Sequence, residues 1–440
     1  MNGSKAFALE TDPTGEIAAA QRLAAAQRRE WIVLLVLAAV QFNSIVDFVV
    51  MMPLGPELMK ALHIGTFEFG LVVEAYTFAA GIAGLLAASL VDRYSRRTAF
   101  LTLYTGFLVG TLLCALAPNY QLLMAARALT GCFGGILGGI AMAIVGDVFP
   151  EERRGRATGV LMSAFAVASI VGVPFGLVLG QNLGWHMPFV AIVVLGLPVL
   201  VAGWLVLPRL ADHIGNQQVH PLASLVGTLR SANNWNAFAL MASLMIGAFA
   251  VIPYINPYLV GNVGVPEKYL WVVYAAGGAL TLLTSRLFGV LADRYGKLRM
   301  FRIIAPFSAL MLIIVTNLPP LPSAVAIAIV AGMFVTNSGR MIPAMAMVTG
   351  SVPPQSRGGF MSANSSMQHI ASGLGTLLAS YIIVKHDDGR LEHFGTVGVI
   401  ACGITLLSLW LAGRLQTVVP PGKPVSAETE LAGMTAAEQG

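Results

Sequence analysis

The sequence predicts an all-α integral membrane protein whose twelve transmembrane helices form two pseudo-symmetric six-helix bundles. Three observations carry this prediction. Of the 440 residues, 56% are hydrophobic and only 11% charged, with a mean hydropathy of +0.76, whereas about a quarter of the residues of a soluble domain are charged. The apolar residues gather in runs long enough to cross a hydrocarbon core of about 30 Å at roughly 1.5 Å per residue. One short charged phrase occurs twice, LVDRYSRR at 90–97 and LADRYGKL at 291–298.

In chain order the apolar runs are 31–53, 68–91, 98–117, 121–148, 156–182, 187–208, 235–260, 270–292, 300–318, 323–348, 358–384 and 393–415. The first carries Asp47 and has no small-residue cleavage site, so it reads as a helix and not as a signal peptide. The fourth outruns the minimum length and is expected to tilt. In the seventh, VIPYINPYL (251–259) places Pro253 and Pro257 where they interrupt backbone bonding, which predicts a bent helix and an outer gate. Membrane barrels need alternating segments of about ten residues, and the chain has none.

These runs divide the chain into an N-terminal segment (1–30), a first bundle (31–208), a linker (209–234), a second bundle (235–415) and a tail (416–440). Within the first segment, IAAAQRLAAAQRRE (17–30) reads as a basic helix lying on the inner membrane surface. The Pro-, Ala- and Glu-rich tail is expected to be disordered. Loop charges set the orientation: Lys and Arg concentrate on one face, with Lys60, Lys268, Lys385 and Arg390 on the other. The positive-inside rule then predicts a multi-pass protein of the cell's inner membrane with both termini cytoplasmic. The net charge of +5 does not point to nucleic acid, because the basic residues sit at the ends of apolar runs and form no stripe.

The repeated phrase places Asp92 after the second helix and Asp293 after the eighth. A second pair, VFPEERRGRATG (148–159) and SVPPQSRGGFMS (351–362), aligns at nearly the same offset, so the halves read as an internal duplication. With its G-x-x-x-D-R-x-G-R-R-like loops, the chain resembles the major facilitator superfamily from about residue 31 to 415. The second copy, Gly289 to Lys297, matches the pattern well; the first has Ala88 and Ser95 in place of its glycines, so its turn needs another explanation. LLMAARALTG (122–131) resembles the arginine-bearing motif of helix 4. GVPFGLVLG (172–180) resembles the helix-5 antiporter motif through Gly172, Pro174, Gly176 and Gly180, spelled Gly-x-Pro as in the drug:proton antiporter and arabinose (sugar) efflux permease-like branch. That resemblance implies alternating access and proton-driven efflux.

Physical chemistry gives the duplicated loops a task. An aspartate at a helix end can accept from the free N–H groups that open a neighbouring helix. Asp92 is expected at the start of helix 11 near Arg357, and Asp293 at the start of helix 5. Arg93 is expected to pair with Asp147, with Arg286 and Arg294 serving the same inner latch.

Charges inside helices are costly and usually functional. Asp47 lies sixteen residues past Trp31, about 24 Å from the inner face. Glu74 and Arg127 lie about 9 Å from the outer ends of their helices, close to the same level. A carboxylate in low dielectric favours its neutral form and a neighbouring arginine favours the ionised one, so changing their separation loads or releases a proton. Asp47 is the expected proton carrier and Arg127 its modulator, the alternative being a static salt bridge between helices 1 and 4; Glu74 either shares the site or faces the outer headgroups as an interfacial residue. Arg340, near the midplane with no acid in any C-terminal helix, is expected to meet either a carboxylate of the other half or the substrate. His369, Asn43, Tyr254 and Asn256 are candidates for the substrate path. Gly131, Gly135 and Gly139 should give helix 4 a packing groove like that of helix 5.

No Walker loop, HExxH or Ser/His/Asp arrangement is present, and Cys114, Cys132 and Cys402 have no metal spacing, so neither an enzyme nor a cofactor or metal site is expected. The expected protein is a monomeric secondary transporter whose partners are a small-molecule substrate, protons and the lipid bilayer. Proton-coupled efflux of small amphipathic compounds is the favoured mode. Proton-coupled uptake of a sugar or other metabolite is the alternative, and a receptor or lipid-translocating protein a further one.

Overall fold

The structure, a computed structural model, describes residues 13–90, 94–208, 231–353 and 357–416, with the backbone alone at 13–27, 87–90, 151–152 and 357–358. The first half comprises α1 (Pro13–Val50), α2 (Thr66–Leu90), α3 (Arg96–Leu116), α4 (Tyr120–Val148), α5 and α6 (Met187–Val206). Helix α5 runs as Glu151–Val167, a π turn at Ala168–Gly172, and Val173–Leu183. The second half comprises α7 (from Ala232–Phe249), α8 (Leu270–Tyr295), α9 (Lys297–Thr316), α10 (Ser323–Gly350), α11 (Arg357–Ile382) and α12 (Phe394–Arg414). Linker residues 209–230 and the chain beyond Gln416 lie outside the described residues.

Among the described residues, eleven helical segments are long and apolar enough to cross a membrane. Helix α11, 26 residues long, is the more polar twelfth. Its Asn364, Ser366, Ser372, Thr376 and Ser380 are buried against protein, and it packs on α2 and α7, so protein rather than lipid surrounds its polar face. Leucines and aromatics such as Leu205, Leu283 and Trp204 cover the outside, where lipid replaces water as the solvent.

The segment 17–30 is not a separate surface helix. It continues into the first membrane helix as one run from Pro13 to Val50, because no Gly or Pro interrupts the chain between Glu16 and Met52. Helix α7 does break where its prolines remove backbone donors: a 3-10 turn at Ile252–Tyr254, a short helix at Ile255–Tyr258 and a π turn at Leu259–Val263 follow Phe249.

Small residues set the helix spacing. A side chain at Gly172, Gly176 or Gly180 would meet Val46, Val50 or Leu54, so the α5 groove seats the end of α1 and the turn that follows it. Gly131 and Gly135 of α4 likewise receive Tyr76 and Ala80 of α2, but Gly139 has open space and takes no part. Pro174 lacks an amide donor, and the helix accommodates it with the π turn just before it.

The two halves meet through α2 on α11 and α5 on α8. Taking the arginine-rich loops as the inner face, four hydrogen bonds tie the outer ends together. Thr66 Oγ1 donates to Ile383 O at 3.0 Å, and Tyr254 OH to Thr66 O at 3.4 Å. Asn256 Nδ2 donates to Pro53 O at 3.2 Å, and Gln181 Nε2 to Glu267 O at 2.8 Å. The protein is therefore closed on its outer side.

Candidate functional site

Asp47 on α1 and Arg127 on α4 form a salt bridge with Nη1–Oδ2 at 2.7 Å, and both side chains are 0% exposed. Thr111 Oγ1 of α3 donates to the other carboxylate oxygen at 3.1 Å. The Tyr76 ring of α2 lies 4.6 Å from the guanidinium carbon, and Arg127 Nε and Nη2 have no hydrogen-bond partner among the described residues. Tyr76 stacks on Phe48 at 5.3 Å, and Phe48 reaches Phe249 of the other half at 5.9 Å. An aromatic chain thus leads from the ion pair to the bend of α7. Both grooves described above hold this site: α5 seats Val46, the neighbour of Asp47, and α4 receives the backbone of Tyr76. Such a pair is neutral as a unit while closed, and either partner alone would be a bare charge in low dielectric.

Glu74 lies apart from this pair. It is 1% exposed, and its Oε2 accepts from Thr77 at 3.1 Å. Instead of facing Arg127, it points toward Gly373 of α11.

Arg340, 1% exposed, is enclosed by its own half. Its Nε and Nη2 donate to Asn337 Oδ1 at 3.1 and 2.7 Å, and Nη1 donates to Thr405 Oγ1 at 2.8 Å. Nη2 also lies 3.5 Å from Leu244 O. Of the two alternatives expected, no carboxylate of the other half reaches it among the described residues, and its hydrogen-bond partners are all neutral. His369 is half-buried on α11.

Three expected path residues sit in packing contacts instead. Asn43 Nδ2 donates to Tyr104 OH at 2.8 Å, tying α1 to α3. Tyr254 and Asn256 are fully buried and form part of the outer closure, because the broken helix turns them into the seam between the halves.

At the inner face, Asp92 and Arg93 lie outside the described residues, as does the side chain of Arg357. Asp147 pairs with Arg96 at 3.3 Å; the expected pairing with Arg93 lies outside the described residues. Ser95 caps α3 by accepting from Thr98 N at 3.3 Å, so Arg96 becomes the first helical residue beside Asp147. Asp293, Arg286 and Arg294 are exposed. Asp293 has no ion pair among the described residues, and Arg294 lies over the adjacent Tyr295 ring at 5.5 Å. Arg154, at the start of α5, turns back to Gly146 O at 2.8 Å. Among the described residues, Asp293 makes no bond to the start of α5 in this outer-closed arrangement.

Sequence reasoning missed Thr111, Tyr76, Asn337 and Thr405 as partners of the buried charges. Asn337 alone carried a signal, standing three residues before Arg340 on the same helix face.

Two six-helix bundles, with a buried ion pair in the first and a hydrogen-bonded outer seam between them, form a polytopic membrane protein. The family profile described as Major Facilitator Superfamily matches residues 37–339 and, a second time, 276–438. The MFS-type transporter YwfA of Bacillus subtilis (strain 168) is 27% identical over 372 residues, which cover 82% of this chain and 87% of that protein. The inner membrane transport protein YdhP of Escherichia coli (strain K12) is 25% identical over 375 residues, covering 83% and 92%. A crystal structure of a bacterial homolog of the human lysosomal transporter Spinster, inward-facing and occupied, superposes with a TM-score of 0.70 at 16% identity, covering 88% of this chain and 98% of that one. The chain belongs to the major facilitator superfamily and is a multi-pass membrane transporter.

Proposed function

We propose that this protein is a monomeric secondary transporter of the inner membrane, with both termini cytoplasmic, that exports small amphipathic compounds such as drugs or metabolites in exchange for protons. The observation that carries this reading is the sealed Asp47–Arg127 pair, 2.7 Å apart and 0% exposed. When the pair parts, Asp47 stands in low dielectric without a counter-charge and takes a proton; when Arg127 returns, the proton is expelled. The α5 groove links this chemistry to movement, because Gly172 and Gly176 seat the stretch of α1 that carries Asp47. Exposed inner latch residues and a bonded outer seam are what one end of an alternating-access cycle requires.

The test uses inside-out vesicles energised until a pH-sensitive dye is quenched. Cationic drugs, sugars, amino acids and lysolipids are then added in turn. Dequenching by one class, lost in Asp47→Asn, is the expected result. Substrate-dependent proton movement in the same direction as the substrate would replace export with uptake. Dequenching that survives Asp47→Asn would remove Asp47 from the carrier role.

A further inference from the structure

The first bundle contains a second buried carboxylate, with an environment opposite to that of Asp47. Glu74 lies on α2 where it packs on α11, the plane along which the halves meet. Its Oε2 accepts from Thr77 Oγ1 at 3.1 Å, and its Oε1 is buried with no partner among the described residues. From α11, Gly373 lies so close that an added Cβ would stand 2.5 Å from Oε2, and the Thr376 hydroxyl lies alongside. From α7, the one titratable group that faces it is the Tyr254 phenol. No basic side chain lies within ion-pair distance of Glu74 among the described residues, and His369 is one turn further in on α11. Thr66 and Tyr254, which bond across the seam, cover it on the outer side.

A neighbouring cation compensates Asp47, but nothing of the kind compensates Glu74. Holding an ionised carboxylate in a dry seam without a counter-charge costs several kcal/mol. The neutral acid avoids that cost, since it needs only ordinary hydrogen-bond partners, and hydroxyls are what surround it.

We propose that Glu74 is a proton lock on the outer seam: α2 and α11 close at their outer ends only when its carboxyl is protonated, and outward opening wets the group and lets it ionise. This deepens the proton-coupled reading above by adding a gate to the carrier. Asp47 trades its proton against Arg127, whereas the proton on Glu74 decides whether the outer door shuts. It also gives Gly373 a reason, since any side chain there would press on the carboxyl.

The experiment places spin labels at Lys60→Cys and Lys268→Cys, exposed outer residues on opposite halves, in the full-length chain with its three native cysteines replaced by serine. Pulsed distance measurements are then made across pH on protein in lipid nanodiscs. The short-distance, closed population is expected to rise at least about tenfold relative to the open one as pH falls, a shift of roughly 1.4 kcal/mol. Glu74→Gln is expected to stay closed at every pH, while Glu57→Gln, at a second outer carboxyl, is expected to keep most of the dependence. Where Glu74→Gln fails to insert, Glu74→Asp keeps a titratable group and is expected to move the midpoint of the transition. A wild-type distance indifferent to pH, an unaltered dependence in Glu74→Gln, or an unmoved midpoint in Glu74→Asp would each overturn the lock. Because the readout uses no substrate, it stands or falls separately from the vesicle assay for proton exchange.

Discussion

Each half of the molecule seals one arginine in its core, and the two are held in different ways. Arg127 meets a carboxylate at 2.7 Å, and the pair is neutral. Among the described residues Arg340 meets only the amide oxygen of Asn337, the hydroxyl of Thr405 and the carbonyl of Leu244, so no countercharge balances it within the membrane. They also lie at different levels: Arg127 is seven residues into α4 from the outer end, and Arg340 is ten residues from the inner end of α10. The duplication therefore repeats helices without repeating charges. On the proposed reading, the first bundle supplies the groups that exchange a proton, while the second supplies a fixed positive potential that favours an anionic or polar group nearby. That division leaves chemistry to one half and attraction to the other.

The largest expected effect breaks the paired side. Asp47→Asn leaves Arg127 uncompensated in a dry core, which costs about 3–5 kcal/mol for a broken buried pair. It should lower the unfolding temperature and abolish substrate-driven proton release in the same preparation. Arg340→Met is the matching change in the other half. It breaks no ion pair, and the gain from removing a buried charge offsets the loss of its hydrogen bonds, so stability should stay within about 1 kcal/mol of wild type. Affinity for compounds carrying an anionic group should fall while cationic compounds are unaffected. Equal destabilisation by the two substitutions would erase the contrast between the halves.

The next effect tests how closely packing holds the paired side. A methyl at Gly131 would run into the backbone of Tyr76, the residue whose ring covers Arg127. Gly131→Ala should cost about 1–3 kcal/mol, and transport should decline with it. Gly139→Ala, two turns along the same helix, meets nothing within 4 Å and should leave both unchanged.

How much of this was legible depends on what kind of signal each feature left. Twelve spans could be counted because lipid demands long apolar runs. Asp47 and Arg127 could be brought to one level because a charge in such a run is rare and helical rise converts residue number into depth. That Arg96 reaches Asp147 was not legible, since DRYSRR offers Arg93, Arg96 and Arg97 within five residues. The position of Arg96 follows from the cap at Ser95, a matter of backbone angles. The direction of Glu74 was hidden for another reason: α2 is apolar nearly all round, so periodicity does not say which side faces α11. Tyr254 and Asn256 follow prolines that break the 3.6-residue period on which any facing argument rests.

A smaller effect separates the two copies of the repeated loop. In the second, Gly296 has φ +91°, which disfavours any residue with a Cβ. In the first, Ser95 has φ −59° and caps α3 through its hydroxyl. One loop thus relies on backbone freedom and the other on a side-chain acceptor. Gly296→Ala should cost about 1–2 kcal/mol, whereas Ser95→Ala should cost about 1 kcal/mol and Ser95→Gly only a few tenths. Thermal unfolding of the four proteins ranks them, and a Ser95→Gly as damaging as Gly296→Ala would mean the turns are alike after all.

The smallest effect is one of pH, and it lies outside the membrane on the short helix Gly55–Ala61. Glu57 there is half-buried, with neither carboxylate oxygen bonded among the described residues. Burial pushes its pKa above the ordinary glutamate value, and Glu267 on the other half adds to the rise, while its own backbone N–H, Gln181 and Lys60 work against it. A carboxyl whose pKa is raised in the closed protein supports closure fully below the ordinary value, and that support is lost as pH rises through the raised one. Wild type and Glu57→Gln should therefore unfold at the same temperature near about pH 4, and wild type should fall behind as pH climbs toward about 8. Solvent reaches this group, so the gap should be small. A gap that widens toward acid instead would mean that Glu57 is held as an anion, with Lys60 rather than burial governing it.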